Sequence, residues 1–185
     1  MNWNEHSDLK GSHAFLSPSK VYWLNYDDDK LRSAYYNAQA AQRGTEDHAF
    51  AALCIERGQK LPKSNKTLNM YVNDAIAFKM RPEQILYYSP YCYGSADTII
   101  FRRNMLRIHD LKTGMTPAHM EQLRIYDALF CLEYNIKPTT IDHELRIYQS
   151  NDILAENPDP EEIVDIMNNI VRKDRLLRKM QLKEE

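Results

Sequence analysis

Residues 93–126 read YGSADTIIFRRNMLRIHDLKTGMTPAHMEQLRIY. Two β-prone runs, Thr98-Ile99-Ile100-Phe101 and Met105-Leu106-Arg107-Ile108, flank Arg103-Asn104, a pair suited to a tight hairpin turn. The second run continues into His109-Asp110-Leu111-Lys112. Strand side chains alternate, so Asp110 and Lys112 share a face with Leu106 and Ile108, where an apolar strand runs into an open site. A turn at Arg103-Asn104 makes the numbers of paired residues total about 207, which sets Asp97 opposite Asp110. Two facing carboxylates destabilise a hairpin unless a cation lies between them. A carboxylate beside an ammonium suits phosphodiester hydrolysis. The carboxylate binds Mg²⁺ or Mn²⁺, hard cations that prefer oxygen ligands, and the lysine positions the attacking water and offsets phosphate charge.

Outward from this stretch, Thr116-Pro117 reads as a helix start, cap then proline, for a helix running to about Tyr134. Upstream, Ser17-Pro18-Ser19 opens a short helix through Val21, Trp23 and Leu24 after a loose lead-in over residues 1–13. An alanine-rich helix over about 29–57 ends at Gly58, and residues 65–78 show helical spacing of Leu68, Tyr71, Val72, Ala75 and Ile76. Ile85-Leu86-Tyr87-Tyr88 is β-prone, and residues 140–148 alternate as a strand. Asp159-Pro160-Glu161-Glu162 opens a last helix, acidic at its start and basic at its end, over about 159–183. The order of helices, β meander, helix, strand and helix predicts one α/β or α+β domain over residues 1–185.

The quoted stretch resembles the G-x-x-D and D-x-K-T-G motifs of the PD-(D/E)XK nucleases, within the RecB-like exonuclease branch that includes CRISPR-associated exonucleases and phage recombination nucleases. Arg43-Gly44-Thr45-Glu46-Asp47-His48 matches the R-G-T-x-x-H of that branch, and Gln122-Leu123-Arg124-Ile125-Tyr126 its Q-x-x-x-Y helix. Ser17 and Ser19 resemble its N-terminal S-x-S. The resemblance covers about residues 14–148. It implies a restriction-endonuclease-like core, a central mixed β-sheet flanked by helices, to which the C-terminal helix is an addition.

On the resemblance, His48, Asp97, Asp110 and the Leu111 backbone carbonyl hold one or two Mg²⁺ or Mn²⁺ ions. Asp97, Asp110, Lys112, Gln122 and Tyr126 form the catalytic set. Ser17, Ser19, Arg43, Thr113, Gln122 and Tyr126 meet nucleic acid. The implied partner is DNA, as duplex ends or single strand, together with further copies of the chain or a recombination protein. The implied activity is a metal-dependent deoxyribonuclease, in its exonuclease form. The four cysteines that hold an iron–sulfur cluster in some members are lacking, so no such cluster is expected.

Composition narrows the alternatives. The chain has 185 residues, 43% hydrophobic and 27% charged, an ordinary globular balance. Every apolar run is interrupted within a few positions and no secretory signal is legible, so a cytoplasmic location is expected, the host cytoplasm for a phage-encoded chain. Cys54, Cys92 and Cys131 form no C-x-x-C pair and read as reduced, buried side chains. A formal charge of −2 does not advertise a nucleic-acid binder; Lys60, Lys63 and Lys66 are one local basic excess, open to reading as a solvated loop. Glu46 and Asp47 read either as solvated or as aids to a second ion, and the twelve tyrosines as stacking or packing groups. His109-Asp110 raises a His-Asp phosphohydrolase as a competing class, at odds with a doublet on a strand. The remaining alternative is a catalytically silent member of the fold that binds nucleic acid or protein.

Overall fold

The two runs around Arg103-Asn104 become neighbouring strands of a five-stranded sheet in the computed structural model of the chain, which describes residues 14–18 and 20–181. β1 (Arg81–Ser89), β2 (Cys92–Arg102) and β3 (Met105–Leu111) form an antiparallel meander. β4 (Asp142–Gln149) lies parallel to β3, and β5 (Asp152–Glu156) antiparallel to β4, so spatial order follows chain order. The helices are α1 (Asp28–Arg57), α2 (Thr67–Phe78), α3 (Glu121–Glu133) and α4 (Pro160–Gln181). A parallel β3–β4 pair requires a crossover, and α3 supplies it. The architecture is α+β, a mixed sheet flanked by helices.

The chain divides after Arg43 into two compact units. In the first, a 3₁₀ turn over Val21–Asn25 follows Ser17, whose carbonyl accepts the Trp23 indole N–H at 3.0 Å, and the Tyr35 ring stands edge-on to Phe15. The second holds the sheet and two apolar layers. On one face Leu86, Leu106, Ile108, Leu145 and Ile147 meet Leu123 and Leu129 of α3 and Ile163 of α4. On the other, Leu111 and Tyr148 meet Tyr71, Val72 and Ala75 of α2 with Ala51, Cys54 and Ile55 of α1.

Register follows the turn. Arg103 (φ 54°) and Asn104 (φ 59°) are both left-handed, as a two-residue hairpin loop matched to strand twist demands. Thr98 pairs with His109 and Ile99 with Ile108, the expected register. α4 opens as its sequence indicates, with Asp159 Oδ1 accepting the Glu161 N–H at 3.0 Å.

Three elements differ from expectation. The helix read from Thr116-Pro117 begins only at Glu121. Gln149 holds the intervening segment non-helical: its Nε2 donates to the carbonyls of Gly114 (2.7 Å) and Thr116 (2.8 Å), and its Oε1 accepts the Ala118 N–H at 3.1 Å. The strand expected from residue 140 starts after a 3₁₀ turn over Pro138–Thr140. β5 was not expected, and follows β4 through Ser150 and Asn151, both left-handed. Residues 1–13, Ser19 and residues 182–185, among them the end of the helix expected to about 183, lie outside the described residues.

Candidate functional site

The β2–β3 ladder ends at Thr98 and His109. Just beyond it, the Asp97 carboxylate takes over, its Oδ2 accepting the Leu111 N–H at 2.9 Å. α1 brings His48 to the same oxygen, with Nδ1 at 3.4 Å. β1 brings Glu83, whose neighbours Pro82 and Gln84 pair with Thr98 and Ala96 on either side of Asp97. One ligand atom each from His48, Glu83 and Asp97 lies within 4.8 Å of the other two. Glu83 holds a left-handed φ of 49°, uncommon for a non-glycine residue inside a strand. β2 loses its alternation at this level. Gly94 and Phe101, an odd number of positions apart, both face α3, meeting Tyr126 and Phe130 respectively.

Asp110 is buried beside this cluster. Lys112 Nζ donates to its Oδ1 at 3.1 Å and lies 2.9 Å from Oδ2, off the hydrogen-bonding direction of that second oxygen. The same ammonium donates to Gln122 Oε1 at 2.9 Å, and Gln122 Nε2 donates to the Tyr126 hydroxyl at 3.5 Å. The Lys112 N–H donates to the Tyr148 carbonyl at 2.9 Å, tying the strand end to β4. Two glycines set the spacing of these parts. A Cβ on Gly94 would stand 3.0 Å from Tyr126 Cε1, and one on Gly44 would stand 2.7 Å from Thr113 Oγ1.

Burial, reinforced by the Asp97 charge, pushes the Asp110 carboxyl up to about 6 against the pull of Lys112. The hydrogen bond to Asp97 raises His48 above its ordinary value, against the opposing effect of burial. Carboxylate oxygens and one imidazole nitrogen within 4.8 Å of one another are groups that could hold a hard divalent cation.

His48, Asp97, Asp110, Leu111, Lys112, Thr113, Gln122 and Tyr126 thus come together from α1, β2, β3 and α3. Ser17 is buried in the first unit, to which Arg43 also belongs, and Ser19 lies outside the described residues. His109 points away from Asp110 to the opposite face of the sheet, with its ring against Phe78 and Tyr148, so the doublet does not act as one ligand pair. Cys54 and Cys131 are buried and Cys92 half-buried. Glu83 is the donor that sequence reasoning missed. The hairpin arithmetic used for Asp97 and Asp110 misses it by one residue: the turn after Ser89 pairs Ser89 with Cys92 and sets residue 84 opposite 97, and the register shift between Tyr87 and Ser89 puts Glu83 there instead.

An apolar cleft of about 580 Å³ between α3, α4 and the β1–β2 turn, lined by Tyr91, Ile125, Ile166 and Ile170, contains none of these donors. No helix among the described residues is long and apolar enough to cross a membrane. No protein-family model, curated protein or solved structure matches the chain.

Proposed function

We propose that this chain is a divalent-metal-dependent DNA nuclease with a restriction-endonuclease-like PD-(D/E)XK core, acting as an exonuclease in recombination, repair or phage DNA metabolism. The observation that carries the reading is convergence. His48 lies 3.4 Å from Asp97, which accepts the Leu111 N–H at 2.9 Å, and on the flanking residues Lys112 links Asp110 at 3.1 Å to Gln122 at 2.9 Å, so residues picked out as separate motifs meet at one end of the β2–β3 pair. A chance D-x-K segment has no reason to lie beside a histidine–aspartate pair and to meet a glutamine at those distances.

In this reading His48, Asp97, Asp110 and the Leu111 carbonyl hold the cation, with Glu83 a further donor. A bound Mg²⁺ or Mn²⁺ supplies Lewis-acid polarisation of the phosphate and a water of lowered pKa. Asp110, ionised above about pH 6, keeps the Lys112 ammonium in place. Lys112 offsets the non-bridging phosphate charge and orients the water, while Gln122 fixes the ammonium from α3 and is itself held by Tyr126. Burial of Asp110 and Leu111 excludes bulk water from the carboxylate side.

The test uses end-labelled linear duplex, single-stranded and closed circular DNA with Mg²⁺, Mn²⁺ or EDTA. Linear DNA is expected to be lost with either metal and spared in EDTA, and Lys112→Ala to lower the rate by on the order of 10²–10³. Equal inertness of wild type and variant under both metals would reject the catalytic reading in favour of a silent binding member of the fold.

A further inference from the structure

We propose that the β2–β3 hairpin tip is a second, non-catalytic contact for nucleic acid, a cleft that grips backbone phosphates away from the donor cluster. It rests on the nuclease reading for the identity of its ligand. A cleft of about 310 Å³ is lined by Phe78, Ile100, Arg102, Arg103, Met105 and Arg107. A neighbouring cleft shares the Ile100 wall and adds Lys79 and Arg81. No carboxylate lines either one.

Arg107 is already fixed, with its Nε donating to Glu144 at 3.1 Å and its guanidinium 4.7 Å from the Phe78 ring centre. Arg102 and Arg103 are exposed, and their side chains have no ion-pair or hydrogen-bond partner among the described residues. In a chain with 24 basic and 26 acidic residues, Arg102 and Arg103 at one cleft and Lys79 and Arg81 at its neighbour, beside an Arg107 already met by Glu144, are a local excess of positive charge. Like charges gathered in this way repel, and a polyanion relieves them.

The turn adds an independent sign. Its first position is left-handed at Arg103, where glycine, asparagine or aspartate fits best, yet the residue there is arginine. The backbone there keeps a long, exposed cation at the edge of the cleft.

The spacing fits the ligand that the nuclease reading names. From Asp97 to Arg102 is five strand positions, about 17 Å at ~3.3 Å each. One strand of duplex DNA carries a phosphate every ~3.4 Å along its axis, so the cleft sits about five phosphates from the donor cluster. A chain engaged at both places has its register and direction fixed by contacts that read no bases.

The test measures equilibrium binding in EDTA, where nothing is cleaved. The probe is a labelled duplex long enough to run from the donor cluster past the hairpin. The affinity of the full chain is followed against KCl concentration for wild type, Arg102→Gln/Arg103→Gln and Arg102→Lys/Arg103→Lys. The glutamine pair is expected to flatten the log–log salt slope by about 2. The lysine pair, which keeps the charge, is expected to hold the slope near wild type, separating loss of contact from damage to the turn. If the glutamine pair and wild type show the same slope while wild type still cleaves DNA, this inference fails and the nuclease reading stands. If wild type neither binds nor cleaves DNA, both fail.

Discussion

At the residue scale, Asp110 is held in surroundings that favour its neutral form. Burial and the Asp97 charge lift its carboxyl from an ordinary 3.8 to about 6. The folded state therefore binds that proton more tightly than the unfolded chain does. Its stabilising effect is largest at low pH and is lost as pH rises from about 4 to about 6 in the ion-free protein. Asp110→Asn, neutral throughout, is expected to raise stability in EDTA at pH 8 by up to about 3 kcal/mol, with the gain vanishing near pH 4. Urea unfolding at the two pH values measures this. A variant less stable than wild type at pH 8 would mean that Asp110 serves chiefly as the ion-pair partner of Lys112. Stability lost at a site in exchange for chemistry is the ordinary pattern. The left-handed Glu83 fits it, being a backbone outlier placed at the donor cluster.

At the scale of elements, the motif segments are fitted to one another by close packing as well as by polar contacts. α1 meets the segment after β3 where a Cβ on Gly44 would stand 2.7 Å from Thr113 Oγ1, too close unless that side chain turns away. Gly44→Ala is expected to cost about 1–3 kcal/mol by overpacking, and Thr113→Ala in the same chain to restore most of the loss, a non-additivity that denaturant titration of the four proteins reads directly. Additive losses would show that Gly44 matters for a reason other than this contact. Legibility also divides by element. α1 and its stop were readable because Gly58 is the residue a left-handed cap prefers. Lys79 and Asn135 occupy the same conformation after α2 and α3, and a lysine there gives no such signal. The β2–β3 register was readable because a two-residue turn fixes it locally. The start of α3 was not, because the Gln149 side chain, far along the chain, decides it by holding the segment before Glu121. Glu83 escaped for a related reason: its role depends on register with β2, which nothing near Pro82 announces.

At the scale of the whole molecule, a formal charge of −2 conceals a separation of sign within the sheet-bearing unit. Negative charge gathers at Glu83, Asp97 and Asp110, beside His48, and positive charge at the opposite end of the same hairpin, at Arg102, Arg103 and Arg107. A cation at the first and a phosphate chain at the second answer both imbalances, and β2 and β3 hold the two a fixed distance apart. Composition alone does not reveal this, since it averages over the two ends. The central claim is that the residues around Asp97 form a divalent-cation centre, and its most direct test is calorimetric titration of the ion-free protein with Mn²⁺, wild type beside Asp97→Asn. The account predicts saturable uptake of one or two ions by wild type and its loss in the variant, whose fold is preserved. Absence of uptake by wild type, or equal uptake by both proteins, would contradict it.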